Sequence, residues 1–327
     1  MNTMNFRWRR MFMLGLAGVC IMALAVPSVC ESQGFPSKPI QIICGYTPGS
    51  STDLQIRAIA ESLERQFKQP VLIENVPGAG GTIAVAQMSK NKADGYSFSI
   101  ASGGALMSPL HQKLPFDVDK LSFICQYNVF GNCVWVHADA PWKSFKEFVE
   151  YGQKNPGELV WALEAPTGVP RLQLEVIFEQ AGGVKYTLMA TQGSAESVRM
   201  VLAKDADFII MSLPPTIQHY RAGTLRPLLV TVPFDLFGIP KEVPKAIDSY
   251  DMDFFPCGGT VGPSGMPEEI RRQLSDAIRY ALEKDEISMS KLDKMGAIRV
   301  WRDGPEWHQW ALKLRGKMKK FMYVWGK

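Results

Sequence analysis

The sequence has few residues of the kinds that catalytic and metal centres need. Its 327 residues include only four histidines, and none stands in an H-E-x-x-H pair or in a known nucleophile motif. It has no C-x-x-C pair for zinc and no G-x-S-x-G elbow for a nucleophilic serine. We therefore expect no enzymatic activity, no catalytic residue, no metal site and no cofactor.

The sequence also has little net charge. Of its formal +4, residues 1–30 carry +3 from Arg7, Arg9 and Arg10, which leaves only about +1 for the rest. Proteins that bind nucleic acid usually have a strongly basic face or stripe. The charge pattern thus predicts no nucleic-acid partner, and the length allows about two domains.

The first thirty residues have the pattern of an export signal. The basic segment NFRWRR precedes a 16-residue apolar run, Met11 to Val26, followed by Pro27 and small residues. The run is slightly shorter than the ~20 residues of a membrane-spanning helix, so residues 1–30 are predicted to be a signal peptide, with a retained anchor as the alternative. Export by the Sec route or, given RRMF, by the twin-arginine route predicts a periplasmic protein. In that compartment the four downstream cysteines can be buried thiols or include a disulfide.

Downstream of residue 35, apolar strand-like runs alternate with amphipathic helical runs, as in open, mostly parallel α/β sheets. Two long extended segments, FICQYNVFGNCVWVHA and MDFFPCGGTVG, divide this series, and C-terminal helices are predicted at 267–285 and 305–323. The pattern predicts an α/β fold with two lobes and a cleft between them. Lobe 1 is expected to be discontinuous, with residues 35–130 plus 256–327, and lobe 2 to comprise residues 131–255.

Two loops in the first half have the composition of an anion site. YTPGSSTD (Tyr46–Asp53) joins the first strand to a helix, and PGAGGT (Pro77–Thr82) follows the second strand. Backbone N–H groups at a helix start have no intrahelical partner and favour a carboxylate or phosphate. The same residues can also be a plain turn with an N-cap. Neither loop is a dinucleotide or P-loop fingerprint.

The corresponding loops in the second half are APTGVPR (Ala165–Arg171) and ATQGSAES (Ala190–Ser197). Gly193 and Ser194 combine a residue that permits close approach with one that caps a helix. Arg171 lies near a helix start, where it can clamp a carboxylate or simply be solvated. Four loops at strand ends are therefore candidates for ligand contact.

The first-half loops lie in segments that resemble the periplasmic solute receptors of tripartite tricarboxylate transporters, the Bug or TctC-like family. The resemblance covers residue 35 to the C-terminus and rests on FPSKPIQIICGYTPGSSTD, QPVLIENVPGAGGTIA, ADGYSF, YRAGTLRPLLVT and PSGMPEEI. It implies a two-lobed type II periplasmic binding protein fold with a ligand cleft and two crossover segments. It also implies capture of a small carboxylated solute and its delivery to a small and a large membrane subunit, and we expect the receptor to be a monomer.

The resemblance implies ligand contacts in the four loops and at the end of the third strand. The residues expected to bind ligand are Tyr46, Thr47, Gly49, Ser50, Ser51, Thr52, Asp53, Gly80, Gly81, Ser102, Thr167, Gly168, Gln192 and Gly193.

The sequence departs from the family pattern mainly in its second half. MATQG (Met189–Gly193) replaces V-P-Y-K-G, Met211 replaces a frequent aspartate, and Gly49-Ser50 replaces a glycine pair. Because these changes make the second lobe less charged, we expect a monoacid or an aromatic or branched acid rather than citrate. The alternatives are a sensor that feeds a signalling system and an enzyme on the same fold, which would need a buried acid, base or nucleophile in the cleft.

Overall fold

The computed structural model describes residues 34–326, except 111, 165–167, 234, 237 and 253–254. The predicted signal peptide and Thr167 therefore lie outside the described residues. All elements given below belong to one unit, Pro36–Lys327. Within the described ranges, no helix is both long and apolar enough to cross a membrane.

The strands and helices alternate along most of the chain. The strands are β1 (Ile40–Cys44), β2 (Val71–Asn75), β3 (Ser97–Ser102), β4 (Ser122–Val129), β5 (Asn132–His137), β6 (Leu159–Leu163), β7 (Tyr186–Ala190), β8 (Phe208–Ser212), β9 (Leu225–Val230), β10 (Cys257–Gly262) and β11 (Ile298–Asp303). The helices are α1 (Ser51–Phe67), α2 (Thr82–Met88), α3 (Gly103–Met107), α4 (Phe145–Lys154), α5 (Val169–Gln180), α6 (Ser194–Ala203), α7 (Leu213–Arg221), α8 (Glu268–Glu283), α9 (Glu286–Lys294) and α10 (Gly304–Met318).

The strands form two separate sheets. The six-stranded sheet has the order β11-β4-β10-β3-β1-β2, and the five-stranded sheet has the order β7-β6-β8-β5-β9. In each sheet a parallel group, β2-β1-β3 or β7-β6-β8, is extended by antiparallel strands. The central strands β3, β4 and β8 are buried along their whole length, as expected for strands covered on both faces.

The chain passes between the two sheets twice. It leaves the six-stranded sheet at the end of β4, and only Phe130 and Gly131 separate β4 from β5. It returns between β9 and β10, where Pro256 precedes β10. The two crossings are joined directly, because the Phe130 N–H donates to the Pro256 carbonyl oxygen at 2.8 Å. The α/β fold with two lobes and two crossover segments is thus confirmed, while the lobe boundaries stay a proposal.

The C-terminal part contains more helices and strands than the sequence analysis predicted. The two expected helices are present as α8 and α10, each somewhat shorter than expected. Between them lie α9 and β11, which were not predicted. β11 is half-buried at a sheet edge, and its pairing with β4 is irregular between Arg299 and Arg302. An edge strand of this kind lacks the apolar run or clean alternation that reveals a strand in a sequence.

Candidate ligand-binding site

The first loop of the site ends in a capped helix N-terminus. Ser50 is the N-cap of α1, and its hydroxyl accepts a hydrogen bond from the Asp53 N–H at 3.3 Å. Ser51 and Thr52 follow in the first turn, whose N–H groups have no preceding helical carbonyl to pair with. Ser50, Ser51 and Thr52 are all buried. The helix therefore presents its positive end inside the protein rather than to solvent.

Asp53 stabilises this loop through the hydrogen bonds of its carboxylate. Its carboxylate accepts a bidentate pair of hydrogen bonds from Arg57, each 2.9 Å long, one from Asn75 at 2.8 Å and one from the Gly49 N–H at 2.9 Å. Burial by itself would raise the pKa of Asp53, but the hydrogen bonds from Arg57, Asn75 and Gly49 outweigh it and lower the pKa. Gly49 has a φ of +81°, a backbone conformation that favours glycine. Asp53 and Gly49 thus fix the shape of the loop.

The second loop is tied to the first through Tyr46. Its hydroxyl lies 2.7 Å from Ser102 Oγ and 3.2 Å from the Gly80 carbonyl oxygen, to which Ser102 Oγ also donates at 2.8 Å. Gly45 explains why the two loops pack so closely, because a Cβ there would lie 2.4 Å from the Gly81 Cα. Burial raises the pKa of Tyr46 above its usual range, so its hydroxyl stays protonated as a donor.

The five-stranded sheet contributes an acidic group to the same region. Glu164 follows β6, and its carboxylate accepts hydrogen bonds from Ser194 Oγ at 2.7 Å and from the Ser194 backbone N–H. Ser194 is the first residue of α6. Burial raises the pKa of Glu164, and the two hydrogen bonds from Ser194 act in the opposite direction.

These loops enclose a cavity between the two sheets. Its volume of about 80 Å³ is enough for a small organic molecule. Its polar lining consists of Tyr46, Ser50, Ser51, Thr52, Gly80, Ser102, Asn132, Glu164, Gly168, Ser194 and Ser212, and its apolar lining includes Phe130, Leu163, Val169, Ile210, Met211 and Pro256. None of the described lining residues is a lysine, arginine or histidine. Negative charge in the cavity must therefore be stabilised by hydrogen-bond donors and helix N-termini.

A second compartment, called the outer compartment below, adjoins the cavity and shares Tyr46, Gly80 and Glu164 with it. Thr47, Gln192 and Gly193 line this outer compartment. The structure therefore brings most of the expected ligand-binding residues to one cleft. Gly49, Asp53 and Gly81 line neither compartment and have the supporting roles described above. Thr167 lies outside the described residues, so its expected contact stays a prediction.

Arg171 does not line either compartment. Its Nε lies 3.4 Å from Glu175 Oε1, one helical turn further along α5. Of the two roles open to Arg171, the structure does not support the carboxylate clamp, because its guanidinium is engaged by a neighbouring carboxylate.

The sequence analysis missed three polar residues of the cavity, Asn132, Glu164 and Ser212. Asn132 begins β5 directly after the first crossing, is 3% exposed, and finds no hydrogen-bond partner for its side-chain Nδ2 among the described residues. A buried amide donor without a partner carries a free-energy penalty that a ligand acceptor can remove. Asn132 stands within a β-prone run and Glu164 at a strand end, so neither has a recognisable motif around it.

The two sides of the cleft are in direct contact. Ser212 Oγ, at the end of β8, donates to Ser51 Oγ at 2.9 Å. Gly193 lies so close to the first loop that an added Cβ would be 2.3 Å from Thr47 Oγ1. A Cβ on Gly103 would similarly lie 2.8 Å from Val169 Cγ2. These contacts define a closed arrangement of the cleft.

Comparison with solved protein structures identifies the fold class of this chain. A solved structure described as a periplasmic transporter superposes with a TM-score of 0.82 at 27% identity, covering 88% of this chain and 97% of that one. A structure from R. palustris, solved with adipate, has a TM-score of 0.82 at 23% identity and covers 89% and 98% of the two chains. The chain has the two-lobed fold of periplasmic binding proteins.

The family follows from the sequence. The profile of the tripartite tricarboxylate transporter family receptors matches residues 55–310. A Cupriavidus necator protein, the "UPF0065 protein in gbd 5'region", is 28% identical over 274 residues, which cover 82% of this chain and 83% of that protein. The chain belongs to the tripartite tricarboxylate transporter receptor family, as the sequence motifs indicated.

Proposed function

We propose that the chain is a periplasmic solute-binding receptor that captures a small carboxylate in the cleft and delivers it to a tripartite tricarboxylate-type membrane transporter. The observation that carries this proposal is the set of buried donors around the cavity. These donors come from both sheets and face one cavity, whose described lining contains no lysine, arginine or histidine. A carboxylate is the small anion whose two oxygens suit such a set.

The hydrogen-bond network directs one hydroxyl toward the ligand. Ser51 Oγ accepts from Ser212 Oγ at 2.9 Å and from Gln55 Nε2 at 3.2 Å, and Gln55 Oε1 in turn accepts from Asn128 Nδ2 at 2.5 Å. A hydroxyl that already accepts twice retains its own hydrogen for donation. Ser51 therefore donates to the ligand carboxylate together with the first-turn N–H groups of α1 and Nδ2 of Asn132.

The ligand class is supported by the fold neighbour from R. palustris that was solved with adipate, a small carboxylate. The apolar residues of the cavity, among them Val169, Ile210 and Met211, suit a hydrocarbon body behind the carboxylate. This arrangement favours a monoacid or a branched or aromatic acid over citrate, whose three carboxylates would find too few donors here.

The groups in the cavity are poorly suited to catalysis, which supports a receptor rather than an enzyme. Tyr46 is held by Ser102 and Gly80, and burial raises its pKa. The Cys257 thiol is buried, and burial raises its pKa well above the ordinary value, so it is not a thiolate nucleophile. Glu164 accepts a hydrogen bond from the Ser194 hydroxyl, but the described lining residues include no histidine, the base that usually activates a serine nucleophile.

The proposed partners are a small and a large membrane subunit, which a monomeric receptor carrying a cleavable export signal would meet in the periplasm. A sensor that presents the same ligand to a signalling protein has the same cleft and differs only in its partner. Cross-linking of the receptor in membranes that contain the transporter separates the two. Ligand-dependent cross-links to the membrane subunits support delivery to a transporter, and their absence argues against it.

The ligand itself is tested by native mass spectrometry of the mature protein isolated from the periplasm, followed by denaturation and identification of the released molecule. We expect a small carboxylic acid. Replacement of Ser51 or Asn132 by alanine should lower its occupancy, whereas Ser290→Ala, at a position away from the cleft, should not. A protein that releases no acid, and that no carboxylate stabilises against heat, would overturn the proposed function.

A further inference from the structure

Glu164 is a carboxylate inside a site for carboxylates. It lines both the cavity and the outer compartment. Among the ion pairs of the described residues none includes Glu164, and no described cation lines the cavity. Among the described residues, the only hydrogen-bond donors to the Glu164 carboxylate belong to Ser194. An ionised carboxylate placed in this way needs a cationic partner, which the described residues do not supply, and without one it tends to take up a proton.

Glu164 also occupies the position where a second anion would otherwise bind. Ser194 opens α6, a helix of ten residues, and both its N–H and its Oγ point to the Glu164 carboxylate. The two donors of Ser194 at this helix start are therefore already used. A second ligand carboxylate would lie beside Glu164 with no donor set of its own, and like charges at close range disfavour each other.

The free lone pairs of Glu164 favour a donor instead. A carboxylate has about four acceptor positions, of which Ser194 fills two. Of the donors proposed to hold the ligand carboxylate, Ser51 and the first turn of α1 follow β1 of the six-stranded sheet, whereas Glu164 follows β6 of the five-stranded sheet. The cavity lining therefore combines donors from the six-stranded sheet, the Glu164 carboxylate from the five-stranded sheet, and apolar side chains.

On the basis of the proposed function, we infer that the ligand is a monocarboxylate that also carries a protonated amine, and that Glu164 selects it by binding the ammonium group. The ammonium group supplies the positive charge and the N–H donors that the cavity lacks. The ligand carboxylate binds at the start of α1, and Glu164 determines which acids are accepted.

The test measures binding by calorimetry to the ligand-stripped protein at neutral pH. The probes are the proteinogenic amino acids, each paired with the acid that lacks its amine, such as leucine with 4-methylpentanoate and phenylalanine with 3-phenylpropionate. Adipate and malate are tested separately as dicarboxylate probes. The proteins are wild type, Glu164→Gln and, as a matched control on the exposed face of α4, Glu150→Gln.

We expect the wild type to prefer an amino acid to its deaminated partner. Loss of a charge-assisted contact should weaken binding of that amino acid to Glu164→Gln by about 10- to 100-fold. The deaminated acid should bind Glu164→Gln as well as or better than wild type, because a negative charge has been removed. Glu150→Gln should behave as wild type, and equal melting temperatures of the three proteins confirm that folding is intact.

Two other results overturn the inference in different ways. Tight binding of a dicarboxylate that Glu164→Gln retains would mean that Glu164 is protonated and donates to a second carboxylate, which a glutamine amide can imitate. The carboxylate receptor would then stand, and only the amine would be excluded. If no acid of either set binds, and the native protein releases none, the proposed function fails as well.

Discussion

Closure of the cleft depends on the absence of a side chain at Gly193. The Gly193 backbone has a φ of 169°, which is extended and open to any residue, so the glycine is not needed for backbone geometry. An added Cβ would instead lie 2.3 Å from Thr47 Oγ1 and 3.3 Å from Thr47 Cβ. Thr47 belongs to the opposite side of the cleft. Gly193→Ala should therefore penalise the closed arrangement and leave an open one unaffected.

The size of the effect follows from the contact. The Cβ–Oγ1 distance is about 1 Å too short for van der Waals contact, and overpacking of this kind costs about 1–3 kcal/mol. Rotation of the Thr47 side chain relieves part of it, so we expect about 1–2 kcal/mol, or roughly 5- to 30-fold weaker binding. The melting temperature of the ligand-free protein should not fall, because alanine restricts the unfolded chain more than glycine does.

The assay is calorimetry with the acid recovered from the native protein, combined with small-angle scattering to follow compaction on binding. Gly316→Ala is the matched control, since nothing lies within 4 Å of a Cβ at that exposed position of α10. Adding Thr47→Ala to Gly193→Ala removes Oγ1 and should restore part of the affinity. Wild-type affinity for Gly193→Ala alone would refute the argument, because the loop contact would then be absent from the bound state.

Three further predictions concern the interior. Asn132→Ala should weaken binding of the recovered acid at least tenfold in calorimetry, as expected for loss of a donor to a charged group, and unchanged affinity would remove Asn132 from the site. The pKa of Asp53 is lowered in the folded protein, so its stabilising effect is complete above the unfolded value of about 3.9 and is lost as the pH falls. Asp53→Asn should therefore melt below wild type at pH 7, with a gap that narrows towards pH 3, and a constant gap would contradict this. The four described cysteines are free and buried, and burial raises the pKa of Cys44 to about 11; a thiol reagent should label them only in denaturant, without prior reduction, and a mass shift on reduction of the unfolded chain would instead show a disulfide.

The order of elements could be predicted because it depends on local patterns. Buried parallel strands such as β1 and β8 read as continuous apolar runs, and Gly131 marked the place where the chain crosses from one sheet to the other. β11 could not be predicted in this way. Its segment IRVWRD mixes charged and apolar residues without a clean alternation at a half-buried edge, and only its pairing with β4 makes it a strand.

The site was predicted only in part, for a related reason. Glycine and serine at strand ends predicted the loops around Ser51 and Gly193, because turn and capping residues are required wherever such a chain reverses. The family resemblance implied ligand contact for Asp53, which lines neither compartment and accepts hydrogen bonds from Arg57, Asn75 and Gly49. A sequence indicates that a polar residue lies in a loop, but not which way its side chain points.

The sequence by itself determined the two-lobed α/β fold, the family and the loops that face the cleft, because periodicity and turn chemistry act over a few residues. The tertiary structure decided which polar groups those loops enclose. Asn132 and Glu164 lie at strand ends of the five-stranded sheet, far along the chain from Ser51, and they meet it only because β4 leads into β5 across the first crossing and the sheets close on each other. Among the described residues, burial at that junction leaves the side-chain Nδ2 of Asn132 without a hydrogen-bond partner and Glu164 without a cation, and we infer the ligand from these two unmet requirements.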